Sequence, residues 1–167
     1  MLMDGGVMVR AICARLKSTG KFTGMVAYTE RITQDMKRPC FFVQQMTMNQ
    51  TKSMFNSYTR EYRMKVSYVP LARGTEQERE LRACADILCE TLTYLPLSGM
   101  PNEGTDAEPV FAQSAVRPTN FDVDIMDGMT SKELRFTMDI RCRCLDVASS
   151  IPMQVMTYNP ALKPYTL

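Results

Sequence analysis

Two stretches of this chain alternate between apolar and polar residues regularly enough to set the frame for the rest. Between Tyr58 and Val69, the residues Tyr58, Arg60, Tyr62, Met64, Val66 and Tyr68 alternate with Thr59, Glu61, Arg63, Lys65 and Ser67. Between Lys132 and Leu145, the residues Leu134, Phe136, Met138, Ile140, Cys142 and Cys144 alternate with Arg135, Thr137, Asp139, Arg141 and Arg143. A period of two sends successive side chains to opposite faces, so each stretch predicts a strand with one apolar and one charged face. The run Cys40 to Met48 opens with Phe41, Phe42 and Val43 and predicts a third strand, buried on both faces at its start. Asn49 to Asn56 is polar and reads as the long tip of a hairpin joining that strand to the one that begins at Tyr58.

A different period appears in two other places. Met8, Ala11, Ile12 and Leu16 recur at helical spacing within Val7 to Lys17, and Ser18-Thr19-Gly20 is a suitable stop. From Thr75 to Tyr94, the residues Leu81, Cys84, Ala85, Leu88, Leu92 and Leu95 line one helical face. Thr75 is placed to cap that helix, and Glu76, Glu78 and Glu80 follow where the helix dipole favours negative charge. This helix should lie across the apolar face of the sheet.

The remaining pieces are shorter. Met25 to Glu30 predicts a small strand, and Arg31 to Arg38 a polar link to Pro39. Leu97 to Pro109 is a loop by its Gly, Pro, Ser and Asn content. Val110 to Arg117 and Phe121 to Met126 predict two further strands parted by Pro118, and Asp127-Gly128 marks a turn before the last strand. The sequence therefore predicts a single α+β domain, with a mixed or antiparallel sheet, a long hairpin and two covering helices, over residues 1–145. Residues 146–167 read as an extension. Pro152, Pro160 and Pro164 interrupt regular structure there, but Ile151, Met153, Val155, Met156 and Tyr158 give it a surface suited to packing.

Composition narrows the chemistry. A chain of 167 residues with 45% hydrophobic content fills one core, and its net charge of +2 gives no general pull toward nucleic acid or acidic membranes. No apolar run reaches the ~20 residues a bilayer span needs, and Met1 to Arg10 lacks the pattern of a secretory signal. The cytoplasm is the expected site of folding, and the six cysteines are expected as reduced, mostly buried thiols. Cys142 and Cys144 share one strand face, but no Cys-x-x-Cys pair seeds a metal site. Histidine is absent, which removes the commonest general base, and no phosphate-binding loop or nucleophile elbow is visible. No catalytic residue, metal or cofactor is expected. Asp122, Asp124 and Asp127 lack the further ligands of a calcium loop and read as a solvated strand end.

Two features point to surfaces. Arg135, Arg141 and Arg143 share a strand face and, with Arg60, Arg63 and Lys65 nearby, are candidates for lumen or interface charge. Glu61 and Asp139 interrupt that basic set, and the aromatic residues lie mostly on the other face, which disfavours base stacking. The 15 methionines exceed what core filling needs. Met46, Met48 and Met54 flank the expected hairpin tip, where adaptable thioethers suit contact with another protein.

The stretch from Tyr28 to Val43 reads YTERITQDMKRPCFFV, a short strand ending in Tyr-Thr-Glu, a polar link, and Pro-Cys-Phe-Phe before an aliphatic residue. Tyr58 to Pro70, the helix from Glu80 to Leu95, and Asp127-Gly128 through Leu145 follow in order. In that order these patterns, from about Val7 to Leu145, resemble the phage tail terminator family of long-tailed phages and phage-like particles. Leu97 to Pro109 is longer than that pattern, and residues after Asp146 have no counterpart in it. The resemblance implies a structural virion protein of the tail, assembled in the host bacterial cytoplasm. Such a protein forms a homo-oligomeric ring, usually a hexamer, that caps the tail tube and ends its polymerisation. It implies partners in the tube protein, a neck or head-completion protein and, where there is one, a sheath, with DNA passing through unread. Met48, Met54 and Phe55 are then the expected tube contact, and Ile151, Met153, Val155, Met156 and Tyr158 the expected subunit contact. The alternative is another neck component, such as a stopper or head-completion protein; a DNA-binding module comes after it.

Overall fold

The two alternating stretches lie side by side in the middle of one sheet, and the other elements are arranged around them. The computed structural model describes residues 6–29, 36–53, 56–97, 110–128 and 131–145. In chain order it has α1 (Gly6–Ser18), β1 (Val26–Tyr28), β2 (Cys40–Lys52), β3 (Ser57–Val69) and α2 (Thr75–Thr91). These are followed by β4 (Leu95–Pro96), β5 (Val110–Phe111), β6 (Ala115–Val116), β7 (Thr119–Asp127) and β8 (Lys132–Leu145). The main sheet has six strands in the order β1-β2-β3-β8-β5, and β7 also pairs with β8. β1 runs parallel to β2, and all other pairings are antiparallel, so the sheet is mixed. β4 and β6 form a small separate ladder. This is the α+β architecture with two helices that the sequence predicts.

Burial follows the predicted alternation. Leu134, Phe136, Met138, Ile140, Cys142 and Cys144 of β8 are all buried, as are Tyr62, Met64, Val66 and Tyr68 of β3. Opposite pairs such as Met64–Met138 and Val66–Phe136 put these side chains on one face. Full burial of a Leu, Ile, Met or Phe side chain is worth about 1.5–3 kcal/mol, so this face dominates the stability of the fold. Both helices cover it: Met8, Val9, Ala11, Ile12 and Leu16 of α1 and Leu81, Cys84 and Leu88 of α2 join the same cluster. The helices are also tied together. Arg15 donates from Nε to the Thr91 carbonyl at 3.1 Å, and its guanidinium lies 5.8 Å from the Tyr94 ring centre. On the opposite face Cys40, Phe42 and Val69 form a small second cluster, with Tyr28 stacked on Phe42 at 5.5 Å.

Several expectations need correction. Asn49 to Lys52 is strand, not tip: Asn49, Gln50, Thr51 and Lys52 pair with Glu61, Arg60, Thr59 and Tyr58. A strand exposed on both faces carries no apolar signal, and backbone pairing alone extends it. The turn shrinks accordingly, with the Ser53 N–H donating to the Ser57 carbonyl at 3.0 Å and Asn56 at φ 42°. The predicted strand from Val110 to Arg117 breaks in two, because Val110–Phe111 pairs with β8 while Ala115–Val116 turns away to Leu95–Pro96. The second helix ends at Thr91 instead of Tyr94, and Leu95 joins β4. Its N-cap is Gly74, at φ 71°, and not Thr75; no side-chain cap bond forms. Thr137, on the polar set of β8, is buried. The Asp127-Gly128 turn is where the sequence places it. Asp127 pairs with Lys132, and the Gly128 N–H donates to the Ser131 carbonyl at 2.8 Å.

Glu80 does what its place in the helix does not reveal. Its carboxylate accepts the Tyr68 hydroxyl at 2.6 Å and the backbone N–H groups of Leu71 and Ala72 at 3.2 and 2.9 Å. This ties the chain leaving β3 to the first turns of α2.

Candidate functional site

The face of the sheet away from the helices carries the predicted charge, and part of that charge is paired across the strands. Arg63 Nη1 lies 3.0 Å from Asp139 Oδ1, and Arg141 Nε lies 3.3 Å from Glu61 Oε1, both across the β3–β8 ladder. Asn120, at φ 54° in the bulge of β7, donates its amide to the other Asp139 oxygen at 2.9 Å. These groups floor a shallow groove of about 380 Å³, with Thr47 and Asn49 of β2 on one side and Thr119 on the other. Pairs this exposed contribute little stability, about 0–1 kcal/mol each, and are weakened by salt.

The three candidate arginines do share this open face. Arg141 and Arg143 are neighbours near the hairpin end of β8, while Arg135 sits six residues earlier, about 20 Å away at strand spacing. Asp139 and the buried Thr137 lie between them. Arg60 does not join them. It lies on the helix-covered face near the tip, bonded to Gln50 Oε1 at 2.9 Å and 5.3 Å from the Tyr58 ring centre. The basic set expected from sequence is therefore divided between two faces and interrupted by acids.

The predicted tube contact is placed only in part. Met48 is exposed, at 41%, but it sits within β2 opposite Tyr62 and not at the tip. Met54 and Phe55 lie outside the described residues, as do Ile151, Met153, Val155, Met156 and Tyr158. Asp122, Asp124 and Asp127 are exposed along β7, and among the described residues no group of acids and cysteines could hold a metal ion.

All six cysteines are free thiols, and none is arranged as a reactive centre. Burial pushes the Cys84 and Cys142 thiols up to about 12, and those of Cys13 and Cys40 to about 11. Burial also raises Cys89 and Cys144. A reactive thiol needs the opposite shift. These cysteines are core side chains.

Two edges of the sheet are left open among the described residues. β1 pairs with β2 only as far as Phe42, so from Gln44 to Lys52 no described residue pairs with the outer edge of β2. Met46 and Met48 are exposed there. At the far edge, β7 pairs with β8 on one side only, and its Val123, Ile125 and Met126 are exposed. The alternation of Phe121, Val123 and Ile125 with Asp122 and Asp124 marks a strand. Nothing in it reveals that only Phe121, 5.3 Å from Phe136, reaches the core.

Among the described residues no helix covers this sheet face and nothing pairs with the open stretches of its two edges, which suits contact with another surface. The model of a family described as phage tail terminator protein matches residues 8–150. The chain belongs to the phage tail terminator family. That family is one of structural tail proteins, and the match spans the helix-covered sheet from α1 to the end of β8. No curated protein sequence matches this tail terminator family member. No helix among its described residues is long and apolar enough to cross a membrane.

Proposed function

We propose that this protein closes the end of a phage tail tube as a ring of identical subunits, ending tube polymerisation and presenting a surface for joining the head. The family match over residues 8–150 carries this reading. The build of the molecule supports it. Its two helices both pack on one face of the sheet, and among the described residues the other face, two strand edges and a hairpin that continues beyond Met48 are left uncovered. The protein acts by contact and not by catalysis, with no cofactor. DNA passes the ring without being read, a reading supported by the acids that interrupt the basic set of the open face, where Arg63 pairs with Asp139 and Arg141 with Glu61. Met48, Met54 and Phe55 face the tube, and Ile151 to Tyr158 packs on a neighbouring subunit.

The test is to add the purified protein to polymerising tube protein and measure tube lengths by negative-stain microscopy. Tubes should stop growing and carry one extra ring at one end. The triple variant M48S/M54S/F55S should keep the circular-dichroism spectrum of the parent and lose capping. Tubes that grow on past the native protein would overturn the terminator reading and favour another neck component. Normal capping by the triple variant would remove the hairpin from the contact.

A further inference from the structure

We infer that neighbouring subunits join by sheet extension, with the outer edge of β2 on one copy pairing antiparallel with the outer edge of β7 on the next. Past Phe42, neither edge is paired by any described residue of its own chain. The inference rests on the ring reading above and names the surface that would build the ring.

Four observations converge on it. The first is where exposed apolar side chains collect: Met46 and Met48 on β2, and Val123, Ile125 and Met126 on β7, at opposite edges of one sheet. Soluble proteins usually blunt such edges with charge, proline or a covering element, because unpaired N–H and C=O groups template another strand. The second is direction. β2 is antiparallel to β3, β3 to β8, and β8 to β7, so β2 and β7 run in opposite senses. Placing a second copy beside the first in the same orientation therefore brings β7 against β2 in antiparallel alignment, with the helix-covered faces on the same side.

The third is length and space. The free part of β2, residues 44–52, matches the nine residues of β7. Beside it, where β1 stops, a trough of about 640 Å³ is lined by Gly6, Val9, Thr29 and the chain from Val43 to Met46. Because β1 occupies the edge as far as Phe42, the incoming strand must sit several residues nearer the hairpin end. A stagger of about four residues per four strands is the kind of offset that tilts strands in a closed sheet. The fourth is charge: the β2 edge has Lys52 and no acid, whereas β7 has Asp122, Asp124 and Asp127 and no base. One patch meeting a different patch is heterologous, and such a contact closes a ring when its rotation divides the circle.

In this pairing Met48, whose place in β2 opposite Tyr62 is away from the tip, belongs to the subunit seam and not to the tube contact. It lies beside Val123 or Ile125 on the helix-covered side, which gives a direct test by disulfide trapping. Proteins carrying Met48→Cys, Val123→Cys or Ile125→Cys are made separately, checked for native circular dichroism, and oxidised alone and in mixtures. Light scattering on the same samples reports ring mass. Mixing Met48→Cys with Val123→Cys or Ile125→Cys should give a band at twice the chain mass that no single variant gives. Met48→Cys linking to itself would mean a two-fold edge contact and would overturn the proposal. Rings that form without any mixed cross-link would overturn it while sparing the ring reading; a chain ending at Asp146 then asks whether the C-terminal segment makes the contact instead. Samples that stay monomeric and uncross-linked, with and without tube protein, would overturn both.

Discussion

Glu80 shows how one side chain can hold a junction. It accepts hydrogen bonds from the Tyr68 hydroxyl on the sheet and from two backbone N–H groups of the link before its own helix. Burial and the facing Glu80 carboxylate both raise the Tyr68 hydroxyl well above the ordinary tyrosine value, so at neutral pH it keeps its proton and donates to Glu80. Replacing Glu80 with Ala strands three donors at once. Hydrogen bonds to a charged group are worth about 1.5–3 kcal/mol, and part of that is recovered by water at the exposed Leu71 N–H. The expected loss is about 2–3 kcal/mol, read as a lower urea midpoint with an unchanged slope. Tyr68→Phe should cost less, because Glu80 keeps both backbone bonds. Equal stability of Glu80→Ala and the parent would show that the junction is held by packing alone.

Among the elements, the strands in the middle of the sheet were legible and the edges were not. β8 runs from Lys132 to Leu145 as its alternation predicts, because a strand with one buried face must write that face into every second residue. β2 beyond Gln44 is solvated on both faces, so Asn49 to Lys52 could not be told from a turn. The same logic hid the role of β7, whose apolar positions look core-directed but past Phe121 are exposed. Of the candidate site, Met48 and the three β8 arginines were found by type but not by arrangement, since which charges pair depends on the β3–β8 register. The start of α2 was misread for a local reason. Thr75 has a good capping side chain, but Gly74 holds φ 71° and ψ −141°, a conformation that suits glycine, and so takes the capping position. Thr75→Ala should therefore change stability by no more than about 0.5 kcal/mol. Gly74→Ala should cost about 1–3 kcal/mol, and thermal melts of the two variants distinguish these outcomes. A costly Thr75→Ala would mean that its hydroxyl caps the helix in solution.

Across the whole molecule, the thiols give the fold its pH response. Cys13, Cys40, Cys84 and Cys142 belong to different elements, and burial raises each of them when the chain folds. A raised folded-state value means that the folded chain keeps protons the unfolded chain releases. The stabilising contribution is full below the ordinary thiol value of 9.0 and is lost as pH rises toward about 11 to 12. Tyr62 and Tyr68, also raised by burial, act in the same direction. With no histidine in the chain, no side chain of ordinary value titrates between the carboxylates and the thiols. Denaturation midpoints should therefore be nearly flat from pH 6 to 8 and fall steadily above pH 9. A midpoint that changes steeply through neutrality would contradict this.

The central position of β3 also has a mechanical meaning. In a ring closed through sheet edges, any outward load on the ring becomes tension around it. That tension passes through β2, β3, β8 and β7 in series, in line with the hydrogen bonds. Its weakest link is set by how many rungs share the load. The β2–β3 and β3–β8 ladders run almost the full length of their strands, whereas β7–β8 is shorter and broken by the bulge at Asn120. Within each subunit such a ring would yield first at β7–β8, and Asn120 bonded to Asp139 at 2.9 Å is the stitch across that seam.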